Sequence, residues 1–398
     1  MVELDAHQLD AIEKLKNGSI LVGGTGSGKS RTALAYYYLK VCQGQLRING
    51  KGTHGAAKAP RDLYIITTAQ KRDTGDWLDE AIPFCIKSPI VVDSWNNIQK
   101  YKNVTGAFFI FDEQRIKGKG PWAKTFIRIA RRNQWILLSA TPGDKWEDYM
   151  SVFIANGFYK DFTDFRTTHL VYAPFRNYPK VVGYFGKGLL IKHRRDIIVC
   201  MPLKRTTVPH KEWITCSYNR QLYLTVLKNR WNPFDNCPIE ETGKLFYLLR
   251  KVVNEDQSRV LAVKKIFKKH KRLIVFYNHN GELDQLRLLC SDLGVECAER
   301  NGHNHDSVPV GKEWIYLCQY NAAAEAWNCI TTNAIVFYSL NYSYSTMVQS
   351  AGRIDRLNTP YKDLYYYYLK STSSIDRAIA QALKEKRDFN NSDFKIDR

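Results

Sequence analysis

Residues 19–39 constrain this chain more than any other segment. Ser19-Ile20-Leu21-Val22 is a short apolar run, Gly23-Gly24-Thr25-Gly26-Ser27-Gly28-Lys29-Ser30 follows without a break, and Arg31 to Leu39 can begin a helix. The loop fits G-x-x-x-x-G-K-[ST] in full, with a strand before it and a helix after it, as a phosphate cradle requires. The glycines let backbone N–H groups curl around phosphates. Lys29 supplies a point charge to the β- and γ-phosphates, Ser30 can place its hydroxyl on Mg²⁺, and the helix N-terminus adds its dipole. The loop alone does not separate kinases, GTPases and motors, which share it.

The strand–helix alternation continues along the chain, which reads as α/β. Candidate strands are Ser19 to Val22, Leu63 to Thr67, Ile90 to Val92, Ala107 to Phe111 and Trp135 to Ser139. A second series comprises Leu273 to Tyr277, Glu313 to Leu317, Ala334 to Tyr338 and Leu364 to Leu369. Gaps of crossover-helix length imply parallel sheets, and two series imply two similar lobes. With 398 residues the chain is too long for one ordinary domain and suits two. No stretch reaches the roughly 20 apolar residues of a membrane span. The start, Met1-Val2-Glu3-Leu4-Asp5, lacks a basic region followed by an apolar one, so no signal peptide is expected.

The formal charge of +20 favours polyanionic partners through phosphate neutralisation, although basic proteins without nucleic acid are common. The nine cysteines include no C-x-x-C, which points to reduced thiols rather than zinc or disulfides. Arg47 to Asp62 is glycine-rich and basic and should be an exposed loop. Lys264 to Arg272 reads as a solvated helix face, and the tyrosines 365–368 as a core strand whose alternate rings face opposite ways.

Phe108-Phe109-Ile110-Phe111 runs into Asp112-Glu113. A buried strand ending in Asp can bring a carboxylate to Mg²⁺, and the adjacent Glu can polarise an attacking water. A strand-end acidic turn is the plainer alternative. Trp135 to Leu138 leads in the same way to Ser139-Ala140-Thr141-Pro142.

Phosphate loop, D-E-x-x and S-A-T in this order resemble motifs I, II and III of superfamily 2 helicases. Gln114-Arg115 replace the usual last two residues of motif II, leaving the coupling route open. The resemblance makes Ser139 and Thr141 coupling residues. Leu4-Asp5-Ala6-His7-Gln8 resembles the Q motif, which would set Gln8 on an adenine edge; a solvated helix-start glutamine explains it too. The resemblance thus assigns ATP to Gln8, Gly24, Thr25, Gly26, Ser27, Gly28, Lys29, Ser30 and Gln349, and Mg²⁺ to Ser30 and Asp112. Thr67-Thr68-Ala69-Gln70-Lys71 is similar to motif Ia, so Thr68, Gln70 and Lys71 would touch a nucleic-acid backbone, unless they form only a capped strand-to-helix turn.

Gln349-Ser350-Ala351-Gly352-Arg353-Ile354-Asp355-Arg356 matches motif VI, Q-x-x-G-R-x-x-R. On a helix Arg353 and Arg356 would share a face and could grip a γ-phosphate as arginine fingers, with Lys29, Asp112 and Glu113 completing the catalytic set. Ala322 to Asn328 stands where motif V would lie, with alanines for its glycines and Asn328 in place as a nucleic-acid contact. Ile274 to Asn278 looks like motif IV or a plain strand.

Leu190 to Ile197, Met201-Pro202-Leu203-Lys204 and Tyr218 to Tyr223 resemble the R-R-x-x-D-V, L-P-x-K and Q-x-x-x-Y string of the Swi/Snf-type branch. Ser374 to Ile379 resembles its closing I-D-x-x-I helix. Size and the phrase Gly352 to Asn358 are similar to those of compact phage-encoded members. The implied fold is two RecA-like lobes, residues 1–203 and 204–398, each a mostly parallel sheet flanked by helices, with ATP and nucleic acid at the interlobe cleft. The implied function is a DNA-stimulated ATPase that translocates on or remodels duplex DNA in phage replication, recombination or repair, in the cytoplasm of the host, guided by a targeting or replication protein. An RNA helicase and an ATP-switched clamp with little turnover remain alternatives. Basic stretches Lys117 to Trp122, Arg128 to Arg132 and Lys187 to Arg195 are candidates to line the DNA path, Lys117 foremost.

Overall fold

The computed structural model describes the chain apart from Met1, Thr25, Gln114, Arg115, Lys117, Asp144, 174–180, 203–205, 321–326, Leu357, Arg387, Asp388 and 390–398. The chain divides into two compact units, Met1–Lys204 and Arg205–Arg398.

In the first unit the strands are β1 (Ile20–Val22), β2 (Leu63–Thr67), β3 (Ile90–Ser94), β4 (Phe108–Asp112), β5 (Gln134–Ser139), a short antiparallel pair β6 (Leu170–Tyr172) and β7 (Val181–Tyr184), and β8 (Ile198–Cys200). Six of them form one sheet in the order β3-β2-β4-β5-β1-β8, parallel throughout. The second unit holds β9 (Val208–Cys216), the hairpin β10 (Trp231–Asn232) and β11 (Cys237–Pro238), then β12 (Arg272–Tyr277), β13 (Glu296–Arg300), β14 (Trp314–Gln319), β15 (Ala334–Phe337) and β16 (Asp363–Ser371). Its sheet runs β13-β14-β12-β15-β16-β9, again parallel throughout. Both units therefore have the RecA-like α/β form, a parallel sheet with helices on its faces.

Side-chain alternation along each strand builds two core layers per sheet. In β4, Phe108 and Ile110 enter one layer while Phe109 and Phe111 enter the other, all at 0% exposure. β12 divides likewise, with Ile274 and Phe276 on one face and Leu273, Val275 and Tyr277 on the other. The tyrosine run behaves as the period of two requires, since Tyr366 and Tyr367 are buried in opposite layers.

Three strands of the two six-stranded sheets had no counterpart among the sequence candidates: β8, β9 and β13. Each lies at a sheet edge. Seven of the nine β9 residues are exposed, and its Pro209 is tolerated because an edge strand has an unpaired side. β13 reads Glu-Cys-Ala-Glu-Arg, with no apolar pattern to find.

The loop 47–62 is largely exposed but tied down. Asn49 Oδ1 accepts the Leu4 N–H at 2.9 Å while Asn49 Nδ2 donates to Leu4 O at 2.7 Å. Lys264 to His270 belongs to the helix Gln257–His270, which buries Val263, Ile266 and Phe267 and leaves its lysines outward. Among the described residues no helix is long and apolar enough to cross a membrane, and no group of three His, Cys, Asp or Glu is placed to hold a metal ion. All nine cysteines are free thiols.

Candidate nucleotide site

β1 ends at Val22, and the helix Lys29–Tyr36 begins seven residues later, so the glycine loop lies at the C-terminal edge of the sheet. Gly26 and Gly28 take φ of +75° and +76°, the left-handed region where a Cβ is strained. Space enforces glycine as well: a Cβ on Gly28 would stand 2.3 Å from Gln8 Nε2, and one on Gly23 2.4 Å from Ser27 Oγ. Lys29 Nζ donates to Gly23 O at 2.8 Å and Gly24 O at 3.0 Å, so its ammonium lies within the loop. Ser30 is half-buried in the first turn of the helix. Thr25 lies outside the described residues.

The helix Ala6–Lys14 grips this loop. Gln8 is 4% exposed and not a solvated glutamine. Its Oε1 accepts the Asp5 N–H at 2.8 Å, and its Nε2 donates to Gly28 O at 3.2 Å. His7 Nε2 lies 3.2 Å from Ser27 O, a second clasp that no motif pointed to.

Asp112 ends β4 and is 1% exposed. Its Oδ2 accepts from Lys71 Nζ at 2.8 Å, Thr67 Oγ1 at 2.9 Å and Trp77 Nε1 at 3.1 Å. Trp95 Nε1 donates to its backbone carbonyl at 2.9 Å. Burial pushes the Asp112 carboxyl up, but the charge and hydrogen bond of Lys71, the Thr67 hydroxyl and the charge of Lys29 outweigh it, and the net shift is downward. Asp112 is thus an anion within electrostatic reach of the loop lysine. Glu113 is half-buried at φ +60°, a conformation that costs a non-glycine residue roughly 1–2 kcal/mol. Trp77 and Trp95 carry no motif signature; Thr67 lies in the motif Ia segment, and its bond to Asp112 follows from β2 neighbouring β4.

Lys71, expected to touch a nucleic-acid backbone, has its ammonium bonded to Asp112 and 3.9 Å from Glu113 Oε1. A buried carboxylate attracts the nearest cation more strongly than solvent does. Thr68 caps the helix Ala69–Asp73 through its hydroxyl, which accepts the Lys71 N–H at 3.3 Å, and Gln70 is half-exposed beside it. Ser139 ends β5, the strand between β4 and β1; its carbonyl accepts the Gly23 N–H at 3.2 Å and its Oγ accepts the Thr141 N–H at 3.1 Å. Motif III is therefore bonded to the first residue of the phosphate loop. Gln114, Arg115 and Lys117 lie outside the described residues.

In the second unit the motif VI helix is shorter than read. It spans Tyr344–Ala351 and Gly352 caps it, so Arg353 and Arg356 fall in the following turn and do not share a helix face. The helix ends at Gly352, a residue that weakens a helix interior, and Ile354 beyond it is buried at 0% exposure. Arg353 is 5% exposed and donates to Trp327 O at 2.7 Å, while Arg356 and Gln349 are half-buried. Asn328 is exposed between buried Trp327 and Cys329; 321–326, the rest of the motif V segment, are not described. Asn278 Nδ2 donates to Ser339 Oγ at 2.7 Å, so the turn after β12 is tied to the second residue after β15.

Other basic candidates are partly engaged. Arg194 lies 4.9 Å from the Trp146 ring centroid, and Arg131 Nη2 donates to Lys160 O at 2.7 Å. Arg128 Nη2 donates to Asn103 Oδ1 at 2.9 Å.

The sequence matches no protein-family model and no curated protein. Among solved structures, the chain is similar to the SWI2/SNF2 ATPase core of Sulfolobus solfataricus in complex with dsDNA, at 15% identity and a TM-score of 0.40, over 98% of this chain and 92% of that one.

Proposed function

We propose that the chain is an ATP-hydrolysing motor on nucleic acid, a DNA-stimulated ATPase that translocates on or remodels duplex DNA. The observation that carries this reading is the convergence of three strand ends: β1 delivers the lysine-bearing glycine loop, β4 delivers Asp112-Glu113, and β5 between them bonds both the loop and Thr141. Neighbouring strands are about 4.8 Å apart, so β1 and β4 leave a gap of roughly 10 Å that suits a phosphate chain.

The residues fit a Mg²⁺–nucleotide. Ser27 Oγ is buried without a hydrogen-bond partner among the described residues, Gly23 and Gly28 leave no room for side chains, and the anionic Asp112 faces the same edge as Ser30. Ser30 and Asp112 would hold the Mg²⁺, which supplies charge neutralisation of the phosphates when bound. Lys29 exchanges the loop carbonyls for phosphate oxygens. Glu113 accepts the proton of the attacking water. Gln8, fixed against Gly28, keeps one amide hydrogen for a base edge. Arg356, the less buried of the two motif VI arginines, is the better candidate to meet developing phosphate charge. Thr68, Gln70 and Asn328 are proposed backbone contacts for the nucleic acid. By the family resemblance the motor serves phage DNA replication, recombination or repair through a targeting partner.

The test is steady-state ATP hydrolysis at low salt, alone and with duplex DNA, single-stranded DNA or RNA, beside Lys29→Ala. Stimulation by duplex DNA that the variant loses is the expected result. Stimulation by RNA alone overturns the DNA assignment, and nucleotide-dependent DNA affinity without stimulated hydrolysis identifies a clamp.

A further inference from the structure

One oxygen of Asp112 receives three donors, and they are not held alike. Thr67 is 0% and Trp77 2% exposed, so packing fixes both. Lys71 has a side chain 24% exposed and stands on Ala69–Asp73, a five-residue helix that buries none of its residues. Its ammonium is also 3.9 Å from Glu113 Oε1, so one lightly held cation serves both members of the acidic pair. The next residue, Arg72, anchors the other side of the helix, with Nη1 3.4 Å from Asp93 Oδ1. Asp93 is itself bound by Tyr101 Oη at 2.6 Å, Asn97 Nδ2 at 2.8 Å and the Ser94 N–H at 2.7 Å. Movement is thereby confined to the Lys71 side chain, whose four-carbon stem reorients without shifting the helix.

We propose that Lys71 is a positioning residue that gates the acidic pair, and that a nucleic-acid phosphate opens the gate. This rests on the reading that Asp112 and Glu113 serve ATP hydrolysis on nucleic acid. At rest the ammonium sits on the carboxylate that must hold Mg²⁺ and beside the one that must accept a proton. A cation on Asp112 lowers its affinity for a second one and makes Glu113 a weaker base. A phosphodiester arriving beside Thr68 and Gln70 offers the ammonium another anion. Its departure removes that counter-charge from both carboxylates. Stimulation by nucleic acid then needs no further moving part in this unit.

Lys71→Met keeps the apolar stem and removes the charge, and Lys71→Arg keeps the charge. Two quantities are measured: the Mg²⁺ concentration needed to bind a fluorescent ATP analogue without nucleic acid, and hydrolysis with and without duplex DNA. The expected result for Lys71→Met is a Mg²⁺ requirement about tenfold lower, DNA-free hydrolysis raised towards the stimulated rate and a stimulation ratio near one. Lys71→Arg retains stimulation, which shows that the effect belongs to the charge. A Met variant whose Mg²⁺ requirement and stimulation ratio both match the wild type overturns the gate. So does one that loses hydrolysis with and without DNA at an unchanged Mg²⁺ requirement. A wild-type protein whose hydrolysis no nucleic acid changes overturns the motor reading instead. The Mg²⁺ titration alone then decides whether Lys71 restrains Asp112.

Discussion

Arg259 and Asp376, 117 positions apart in sequence, form a buried ion pair with Nη2 2.6 Å from Oδ2 and side chains 0% and 4% exposed. The guanidinium also donates to the carbonyls of Val253, Tyr338 and Leu369, and the second partner of Asp376 Oδ2 is the Ser371 N–H at 2.6 Å. Asp376, in the helix Ser374–Lys384, is therefore a structural residue that ties this helix to the second sheet. Asp376→Ala leaves a buried guanidinium without its counter-charge and should cost about 3–5 kcal/mol, read as a drop in the urea midpoint. A loss below about 1 kcal/mol would show that solvent replaces the carboxylate.

Asp93 links pH to stability. Burial raises its pKa, but the hydrogen bonds from Tyr101, Asn97 and the Ser94 N–H, with the charge of Lys100, more than offset this and bring it from 3.8 to about 2. A depressed carboxylate stabilises the fold above its unfolded pKa, and that contribution disappears as pH falls from about 4 towards 2. The shift corresponds to about 2 kcal/mol at neutral pH. Asp93→Asn should thus lower the urea midpoint at pH 7, and the gap to the wild type should shrink at pH 3. An equal gap at both pH values would assign the loss to packing.

How much of this was legible depends on where each residue sits. The nine sequence candidates for sheet strands are all strands, because residues such as Ile110 and Val275 are buried on both faces and must be apolar throughout. The edge strands β9 and β13 escaped because one side of an edge faces water and tolerates Lys211 or Glu296, and β8 because it is three residues that follow directly on the helix Lys187–Ile197. Within the site, the glycine loop and Asp112-Glu113 are legible since chemistry dictates residue type at fixed spacing. Of the partners of Asp112, Thr67 and Lys71 lie in the motif Ia segment but nothing in that string marks a bond to the acidic pair, and Trp77 and Trp95 come from segments brought beside it only by the order of the sheet. The helix assumed for Arg353 failed because the three-residue spacing of the arginines says nothing of the helix end at Gly352 before them.

Gln8 joins two duties, and a single substitution separates them from catalysis. Gln8→Ala removes the bond to the Asp5 N–H and the bond to Gly28 O. If Gln8 also faces the base, the variant weakens ATP binding by about 1–2 kcal/mol and narrows the preference for ATP over GTP. A weaker affinity for both nucleotides with the preference intact would assign Gln8 to loop support alone. Competition binding with the two triphosphates distinguishes these outcomes.

Glu113 is the group whose removal should stop chemistry while leaving binding in place. Glu113→Gln preserves shape and removes the base, so hydrolysis should fall at least about 100-fold while affinity for a fluorescent ATP analogue stays within a few-fold of wild type. Equal loss of both would mean that Glu113 holds the nucleotide rather than the water.

The two motif VI arginines should behave oppositely. Arg353 is buried and its guanidinium donates to Trp327 O, while its own carbonyl accepts the Cys329 N–H at 3.0 Å. Arg353→Ala therefore removes a brace between the motif VI turn and residues 327–329, and thermal unfolding should shift downward by several degrees, consistent with a loss of about 2 kcal/mol. Arg356 is only half-buried, so Arg356→Ala should leave the melting temperature within about 2 °C while reducing stimulated hydrolysis by about 10³-fold. Lys at position 356 should not restore it, because an ammonium cannot present the planar fork of a guanidinium. If Arg353→Ala instead melts like the wild type and loses hydrolysis, the buried arginine is the finger, and reaching a phosphate would require it to leave Trp327.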